Sequence, residues 1–263
     1  MFFLTESCAE KRAEVVSMKQ VIPVTTSNYS AKSISVECVV IHYTAATLAR
    51  TLEIFTDPAR EVSSHLVIDR DGSVYEVVQC LSGEPLTAWH AGVSKGVLPG
   101  NSGEGVVREK FNQFSIGIEL VNLNGNVFGY TNAQYDALRD VCGNFIGRFP
   151  VLSDPQRFLG HEEIAGFRGK CDPGRLFEWH RFLSSLFPGT GKDFSREVIC
   201  DQRTSETLGR IYAALGVEVD GATGGFTGIE KVPLGLLEGV SSTLEAAVGS
   251  GYSAAVRTLL LSQ

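Results

Sequence analysis

Residues 160–174 concentrate histidine, carboxylate and lysine side chains in one short stretch, Gly-His-Glu-Glu-Ile-Ala-Gly-Phe-Arg-Gly-Lys-Cys-Asp-Pro-Gly. Glycine and proline at this density predict a loop of fixed shape rather than an amphipathic helix. His161 and Asp172 offer an imidazole nitrogen and a carboxylate oxygen, and both atom types are zinc ligands. The stretch therefore predicts part of a metal site, which needs a further protein ligand from elsewhere in the chain.

Two more groups that could do chemistry lie in predicted buried strands. The apolar, β-branched run 36–44 carries His42 near its C-terminal end. A second apolar run, residues 115–122, is interrupted by Glu119. Burial penalises an ionised carboxylate, so Glu119 needs a cation, a hydrogen-bond donor or a proton, and it is a candidate functional group.

These residue types could carry out metal-assisted amide hydrolysis. A catalytic zinc takes three protein ligands and keeps a fourth position for water, whose pKa it lowers to about 7. A nearby carboxylate can take the water proton, and a cation such as Lys170 can stabilise the oxyanion. Spacing alone does not choose the ligands among His42, His90 and His161.

The surrounding elements predict an α/β fold with a central mixed β-sheet flanked by helices. Residues 45–55 predict a helix that stops at Asp57-Pro58, and residues 62–78 predict a hairpin around Asp71-Gly72. Apolar side chains at three- and four-residue spacing predict a helix from residue 131 or 132 to residue 149. The remaining predictions are a further helix over 176–187, a long loop without regular structure over 93–105, and short helices over 205–215 and 252–261.

Composition and charge exclude some classes of function. The chain has 263 residues, 43% of them hydrophobic, and a formal net charge of -7. These values are ordinary for a globular protein, and the negative charge argues against a nucleic-acid partner. No stretch approaches the roughly 18 apolar residues of a membrane span. We therefore expect neither a transmembrane segment nor a nucleic-acid ligand.

Changes in composition along the chain predict three parts. These are an N-terminal arm (1–33), a catalytic domain (34–189) and a small helical C-terminal region (190–263). The six cysteines include no CxxC pair and the N-terminus has no recognisable signal peptide. These features predict reduced thiols and a cytoplasmic location, with export to the periplasm or envelope as the alternative. The sequence does not indicate the oligomeric state.

Five motifs occur in a fixed order between about residue 36 and residue 187. They are Val-Val-Ile-His-Tyr-Thr (39–44), Ser-Ser-His-Leu-Val-Ile (63–68), Ala-Trp-His-Ala-Gly-Val-Ser (88–94), Phe-Ser-Ile-Gly-Ile-Glu-Leu (114–120) and the stretch 160–174. In this order they resemble the zinc-dependent N-acetylmuramoyl-L-alanine amidases of the AmpD and AmiD kind, which are related to the peptidoglycan recognition proteins. The resemblance implies an amidase-like fold, with a C-terminal region that could be peptidoglycan-binding-like, and one zinc ion per chain.

The same resemblance implies roles for individual residues. The zinc ligands would be His42, His161 and Asp172. Glu119 would be the general base, and Lys170 would stabilise the oxyanion. The resemblance assigns substrate contact to three residues of the cleft, His90, Tyr43 and Trp89. In the recognition proteins a cysteine directly before Pro-Gly is the third ligand. Here that position is Asp172, so we do not expect the preceding Cys171 to bind the ion.

Other polar residues near the motifs are expected to be structural. His65 is expected to support the site rather than to bind metal. Glu162, Glu163 and Arg168 are expected to be solvated or to form local ion pairs. His161 and Asp172 are one residue further apart than is usual in the family.

The resemblance implies an enzyme that cleaves the amide between N-acetylmuramic acid and L-alanine in peptidoglycan or in muropeptides, including anhydromuropeptides. The alternative is a non-catalytic peptidoglycan-recognition module of the same fold. Such modules typically lose a metal ligand, whereas the full set is present here. A zinc hydrolase that acts on other amides is a third hypothesis, and the sequence leaves intact wall and soluble muropeptide open as substrates.

Overall fold

A computed structural model describes residues 20–100, 102–233, 235–237, 239, 240 and 244. In chain order its strands are β1 (Val21–Pro23), β2 (Tyr29–Ser33), β3 (Cys38–Tyr43), β4 (Leu66–Ile68), β5 (Val74–Glu76), β6 (Leu86–Ala88), β7 (Lys95–Pro99), β8 (Gly105–Glu109), β9 (Ser115–Leu120), β10 (Phe158–Gly160), β11 (Glu218–Val219) and β12 (Phe226–Thr227). Its α-helices are α1 (Leu48–Thr56), α2 (Asn132–Arg148), α3 (His161–Ala165), α4 (Trp179–Leu186) and α5 (Gln202–Ala214).

The centre of the fold is a mixed six-stranded sheet in the order β1-β5-β4-β9-β3-β10. Strands β4, β9, β3 and β10 are parallel, whereas β5 runs antiparallel to β4 and pairs in parallel with β1. The predicted mixed sheet is therefore confirmed. Across β3 and β9, His42 lies opposite Glu119, so both side chains reach the same edge of the sheet.

Helix α2 covers one face of this sheet. Thr131 accepts a hydrogen bond from the Gln134 amide, and the Gln134 side chain accepts one from the Thr131 amide, so reciprocal capping fixes where the helix begins. Leu138, Val141 and Phe145 point from α2 into the main core, as their spacing predicts. The predicted helix over 131–149 is confirmed.

Helix α4 begins at Trp179, three residues later than the predicted start at 176. The preceding amides are bound elsewhere: Leu176 donates to Gly125, Phe177 to Gly174, and Glu178 to the Tyr135 hydroxyl. Because these hydrogen bonds hold residues 176–178 outside the helix, the start predicted from the apolar pattern is wrong.

The predicted loop over 93–105 is wrong, because most of it belongs to the antiparallel hairpin β7–β8. Lys95 pairs with Glu109 at one end of the hairpin and Pro99 with Gly105 at the other. A Cβ at Gly96 would lie 2.7 Å from a methyl carbon of Ile164, so the glycine lets the hairpin pack against α3. Packing on a distant element therefore outweighs the local glycine and proline signals.

Described residues on both sides of the predicted catalytic domain contact it. Strand β1 joins the main sheet and β2 pairs with β6, so residues 21–33 of the predicted arm are tied to the domain. The Arg70 guanidinium of that domain donates to the carbonyl of Gly224 in the C-terminal region and to the Gly129 carbonyl, and it lies 4.6 Å over the Phe226 ring. The strands β11 and β12 were not predicted, and the domain boundaries stay a prediction.

Helix α5 corresponds to the predicted helix over 205–215, whereas the predicted helix over 252–261 lies outside the described residues. Among the described helices none is both long and apolar enough to cross a membrane. The described cysteines form no disulfide and are buried; they are Cys38, Cys80, Cys142, Cys171 and Cys200.

Candidate active site and metal centre

Parallel pairing of β3 with β10 brings two histidines together. Gly160 lies opposite Ile41, so the residues that follow, His161 and His42, lie beside each other with ring centroids 4.4 Å apart. The chain then returns, and the Glu162 amide donates to the Asp172 carbonyl at 2.9 Å. Asp172 is thereby brought next to both imidazoles, although it is separated from His42 by 130 residues.

The sequence predicts a loop over residues 160–174, but part of this stretch is helical. His161–Ala165 forms helix α3, because the Glu163 carboxylate accepts a hydrogen bond from the Gly160 amide and caps it. A 3-10 turn follows and ends at Gly169, whose φ of 90° is in the left-handed region that favours glycine.

The geometry of His42, His161 and Asp172 suits a metal ion. One ligand atom from each lies within 4.8 Å of the others, and all three residues are buried. Asp172 Oδ2 is 2.9 Å from His42 Nδ1 and 3.1 Å from His161 Nδ1. Two imidazole nitrogens that face one carboxylate oxygen are a donor set that fits zinc.

The charge states of the cluster also suit a cation. Burial, and then the neighbouring His161, lower the pKa of His42 to about 4, so His42 is neutral at pH 7. Burial alone would raise the pKa of Asp172, but His161 and His42 outweigh it and hold that pKa well below its usual range. A neutral imidazole beside an ionised carboxylate is the state in which both groups bind metal.

Glu119 lies in the same cleft and is 8% exposed. Its Oε2 atom is buried without a hydrogen-bond partner among the described residues. Burial and the nearby Asp172 raise the pKa of Glu119 to about 8, and the Lys170 ammonium opposes this shift. Glu119 is therefore a carboxyl group poised to hold or release a proton near neutral pH.

The cleft has a volume of about 710 Å³ and carries charges of both signs. Its lining includes His42, Tyr43, Trp89, His90, Glu119, His161, Arg168, Lys170 and Asp172. All eight residues that the sequence assigned to the site therefore line one cleft. Their individual roles stay predictions.

The residues predicted to contact substrate differ in how accessible they are. Tyr43 and Trp89 are half-buried, whereas His90 is only 7% exposed. His90 Nδ1 lies 3.0 Å from His42 Nε2, and His90 Nε2 lies 3.2 Å from the Ser115 hydroxyl. Its substrate contact stays a prediction.

His65 has a structural environment. Its Nδ1 accepts a hydrogen bond from the Gly117 amide, and its Nε2 donates to the Leu86 carbonyl. Both ring nitrogens thus bind backbone groups of strands, Gly117 in β9 and Leu86 in β6, and burial lowers the pKa of His65 to about 4.

The predictions for the acidic residues of α3 are partly wrong. Glu163 forms the expected local ion pair, with Arg196. Glu162, however, is only 2% exposed, and burial and then Glu163 raise its pKa well above the usual value. Helix α3 turns Glu162 inward, which a loop prediction could not show. Arg168 is exposed at the cleft and donates to the Ala91 carbonyl at 3.1 Å.

Sequence reasoning missed two residues beside the site, Ser115 and Gly117. They alternate with Glu119 along β9, and side chains two residues apart share a face of a strand. Ser115 contacts His90, and a Cβ on Gly117 would lie 2.4 Å from the same ring. The period-two pattern from Ser115 to Glu119 was the available signal.

The fold and the side-chain cluster define an α/β protein with a candidate metal site, and sequence comparison gives the family. The family profile Amidase_2, described as N-acetylmuramoyl-L-alanine amidase, matches residues 32–175. This match covers more than half of the chain, and the chain belongs to that family.

Curated relatives carry amidase names as well, and one solved structure is reported beside them. Over 134 residues the chain is 40% identical to 1,6-anhydro-N-acetylmuramyl-L-alanine amidase AmpD of Enterobacter cloacae. The aligned region covers 51% of this chain and 62% of that protein. The chain is 24% identical to N-acetylmuramoyl-L-alanine amidase A of Achromobacter lyticus over 64% of this chain and 93% of that protein. A crystal structure of a selenomethionine derivative of AmpD superposes with a TM-score of 0.49 at 31% identity, over 63% of this chain and 94% of that one. The chain thus spans less than two thirds of the AmpD relative's length.

Proposed function

We propose that this protein is a zinc-dependent hydrolase that cleaves the amide bond between N-acetylmuramic acid and L-alanine. The observation that carries the proposal is the convergence of His42, His161 and Asp172 in the cleft that also holds Glu119, whose Oε2 atom has no hydrogen-bond partner among the described residues. Family membership and the names of the relatives at about 40% identity support the same activity.

His42, His161 and Asp172 would hold the ion in this proposal. Two nitrogens and one oxygen match the three-ligand sets of catalytic zinc sites, which keep one position open. When bound there, zinc acts as a Lewis acid on the substrate carbonyl and lowers the pKa of water. The site opens on the cleft, so a substrate can approach the position that the protein ligands leave free.

Glu119 and Lys170 would carry the proton and charge changes of amide cleavage. In its ionised form, Glu119 accepts a proton from the attacking water and then returns it to the leaving amine, and a carboxyl group whose pKa is raised toward neutrality suits both transfers. The Lys170 ammonium lines the same cleft and stabilises negative charge on the carbonyl oxygen. A positive charge there also lowers the pKa of Glu119, which keeps more of it in the basic form.

A muropeptide is the substrate that we propose, with anhydromuropeptides included. The AmpD relatives are named for cleavage of 1,6-anhydro-N-acetylmuramyl-L-alanine, and the cleft is large enough for a sugar and several amino acids. Both Arg168 and Lys170 line it, and cations suit the carboxylates of a peptide stem. Intact peptidoglycan is the competing substrate.

We propose a cytoplasmic location, with export as the alternative. The described cysteines are all unpaired and buried, which is typical of proteins from reducing compartments. A non-catalytic recognition module is disfavoured because the candidate ligands and Glu119 all converge in one cleft.

The decisive experiment incubates the purified protein with soluble anhydromuropeptide and, separately, with intact sacculi, followed by mass analysis of the products. We expect release of the free stem peptide, loss of this release with a chelator, and recovery on adding zinc. Cleavage of soluble substrate alone would favour the muropeptide, and cleavage of sacculi alone the intact wall. No cleavage of either substrate by zinc-loaded protein would contradict the proposed function.

A further inference from the structure

We propose that His90 is a positioning residue that fixes the tautomer of the metal ligand His42 through a chain of hydrogen bonds anchored on the Phe111 carbonyl. This inference rests on the proposed zinc site. It concerns how the protein prepares that site, and it gives the Trp-His-Ala-Gly segment (89–92) a role other than contact with substrate.

The number of available hydrogens determines which atom donates and which accepts in each of these hydrogen bonds. The Ser115 hydroxyl lies 2.6 Å from the Phe111 carbonyl oxygen, which can only accept, so the single hydroxyl hydrogen points there. Ser115 Oγ must then accept from His90 Nε2, which lies 3.2 Å away. His90 therefore carries its proton on Nε2.

The same logic continues to the metal ligand. With its proton on Nε2, the neutral His90 ring presents a bare Nδ1 to His42 Nε2 at 3.0 Å. His42 Nε2 must donate in this contact, so His42 Nδ1 carries no proton. That bare nitrogen is the atom that faces Asp172 Oδ2 at 2.9 Å, and two acceptors at this distance need a cation between them.

The second candidate ligand is held by the neighbouring residue of the same segment. His161 Nε2 lies 3.4 Å from the Ala91 carbonyl, so its Nδ1 is also the atom left for the ion. The segment itself is fixed, because the Asn112 side chain accepts from the amides of His90 and Ala91 at 3.1 and 2.7 Å. Consecutive residues 90 and 91 thus support the outer nitrogens of both histidines.

Strand β9 is shaped to admit the His90 ring. A Cβ at Gly117 would lie 2.4 Å from His90 Cγ and 2.5 Å from its Nδ1, so any side chain there would displace the ring. Ser115, Gly117 and Glu119 alternate along one face of the strand. Ser115 contacts the His90 ring, and Gly117 leaves room for it.

Substrate contact by His90 conflicts with this arrangement. Both of its ring nitrogens are already used by protein partners, and only 7% of the residue is exposed. Outer-shell partners of ligating histidines orient the ring and fix its tautomer, and their loss typically weakens metal binding about 10- to 100-fold.

The test measures zinc affinity by competition with a chelator, together with the visible spectrum of the cobalt-loaded protein. H90F keeps an aromatic ring, although a larger one, and removes the acceptor, so we expect zinc to bind about 10- to 100-fold more weakly with altered cobalt bands. H90N keeps a carbonyl oxygen close to the position of the lost Nδ1, so it is expected to bind zinc more tightly than H90F. S115A removes only the last side chain in the series of hydrogen bonds from His42 to the Phe111 carbonyl, and we expect zinc to bind about three- to tenfold more weakly.

The matched control is S64A, because Ser64 is a fully buried serine whose hydroxyl has no hydrogen-bond partner in the described residues. It is expected to leave the zinc affinity and cobalt spectrum unchanged. Circular dichroism of each metal-free variant checks that it is folded.

Zinc affinities of H90F and S115A equal to that of the unchanged protein would overturn the positioning role while leaving the proposed function intact. Equal weakening by S64A and S115A would also overturn it, because a packing defect would then explain the loss. Absence of zinc binding by the unchanged protein would overturn the metal site and this inference together.

Discussion

Glu119 shows at the residue scale how chemistry and stability conflict in this protein. Its carboxyl group is buried in a central strand, and Oε2 has no hydrogen-bond partner in the described residues. A buried carboxylate without a donor is costly when ionised, and the raised pKa of about 8 expresses that cost. A raised proton affinity of this kind in a cleft marks Glu119 as a candidate for proton transfer.

The substitution Glu119→Gln should therefore stabilise the metal-free protein at high pH. The folded state holds the Glu119 proton up to about pH 8, whereas the unfolded chain releases it near the ordinary pKa of 4.5. Because the folded state binds more protons in this window, the wild-type stability from this group falls as pH rises through it. We expect a gain on the order of 1–4 kcal/mol at pH 8 and a much smaller gain at pH 5. Urea unfolding in the presence of chelator measures both values.

The control is Glu84→Gln, which neutralises an exposed carboxylate in the same way. Its effect on the free energy of unfolding should be small at both pH values. A Glu119→Gln gain that does not change between pH 5 and pH 8 would show that Glu119 is ionised throughout, against the raised pKa.

At the scale of elements, the segment between α3 and α4 separates two neighbouring residues that could each bind metal. Asp172 faces the two histidines, whereas Cys171 Sγ lies 3.4 Å from the Tyr43 hydroxyl and 3.5 Å from Asn126 Nδ2. Burial raises the pKa of Cys171 to about 12, so its thiol stays protonated. Because zinc binds the thiolate, Cys171 is a poor ligand in this position.

Cys171→Ser is accordingly expected to keep its zinc. Zinc content per chain, measured by atomic emission after dialysis, should match that of the unchanged protein, while thermal stability falls because a buried hydroxyl replaces a thiol. Cys142→Ser is the matched control, since Cys142 is equally buried but lies in α2. Loss of zinc from Cys171→Ser alone would make the cysteine a ligand and contradict the choice of Asp172.

Elements with strong local signals were predicted correctly from the sequence. Strands β3 and β9 are continuous apolar runs, and α2 has both an amphipathic pattern and a capping box around Thr131. The hairpin β7–β8 and helix α3 were missed, since Gly96 and the glycines of 160–174 indicate loops locally. The contact of Gly96 with Ile164 joins these two distant elements and is not encoded by any local pattern, and α3 also depends on the local cap between Gly160 and Glu163.

In the candidate site, too, some residues could be identified from the sequence and others could not. The resemblance to the amidase family assigned roles to His42, His161 and Asp172, and the structure brings these residues together. Ser115 and Gly117 were missed because a serine and a glycine in a strand have no distinctive chemistry until the histidine ring that they accommodate is placed. Their function is visible only in three dimensions.

At the scale of the whole molecule, the sheet assembles one site from distant parts of the chain. Parallel pairing places the ends of β3, β9 and β10 at one edge, where His42, Glu119 and His161 meet. Described residues of the C-terminal region pack against this domain: Leu208 belongs to a cluster with Cys171, and Tyr212 to a cluster with Leu123. The site therefore depends on the folded protein as a unit rather than on one motif.

The measurement that tests the central claim most directly is zinc content and turnover determined together for two variants, Asp172→Ala and Glu119→Ala. Asp172→Ala should lose both zinc and turnover, because a protein ligand is removed. Glu119→Ala should keep one zinc ion per chain while turnover falls by on the order of 10²–10⁴-fold, because only the proton acceptor is removed. Zinc retained by Asp172→Ala, or lost by Glu119→Ala, would contradict this division between metal ligand and general base.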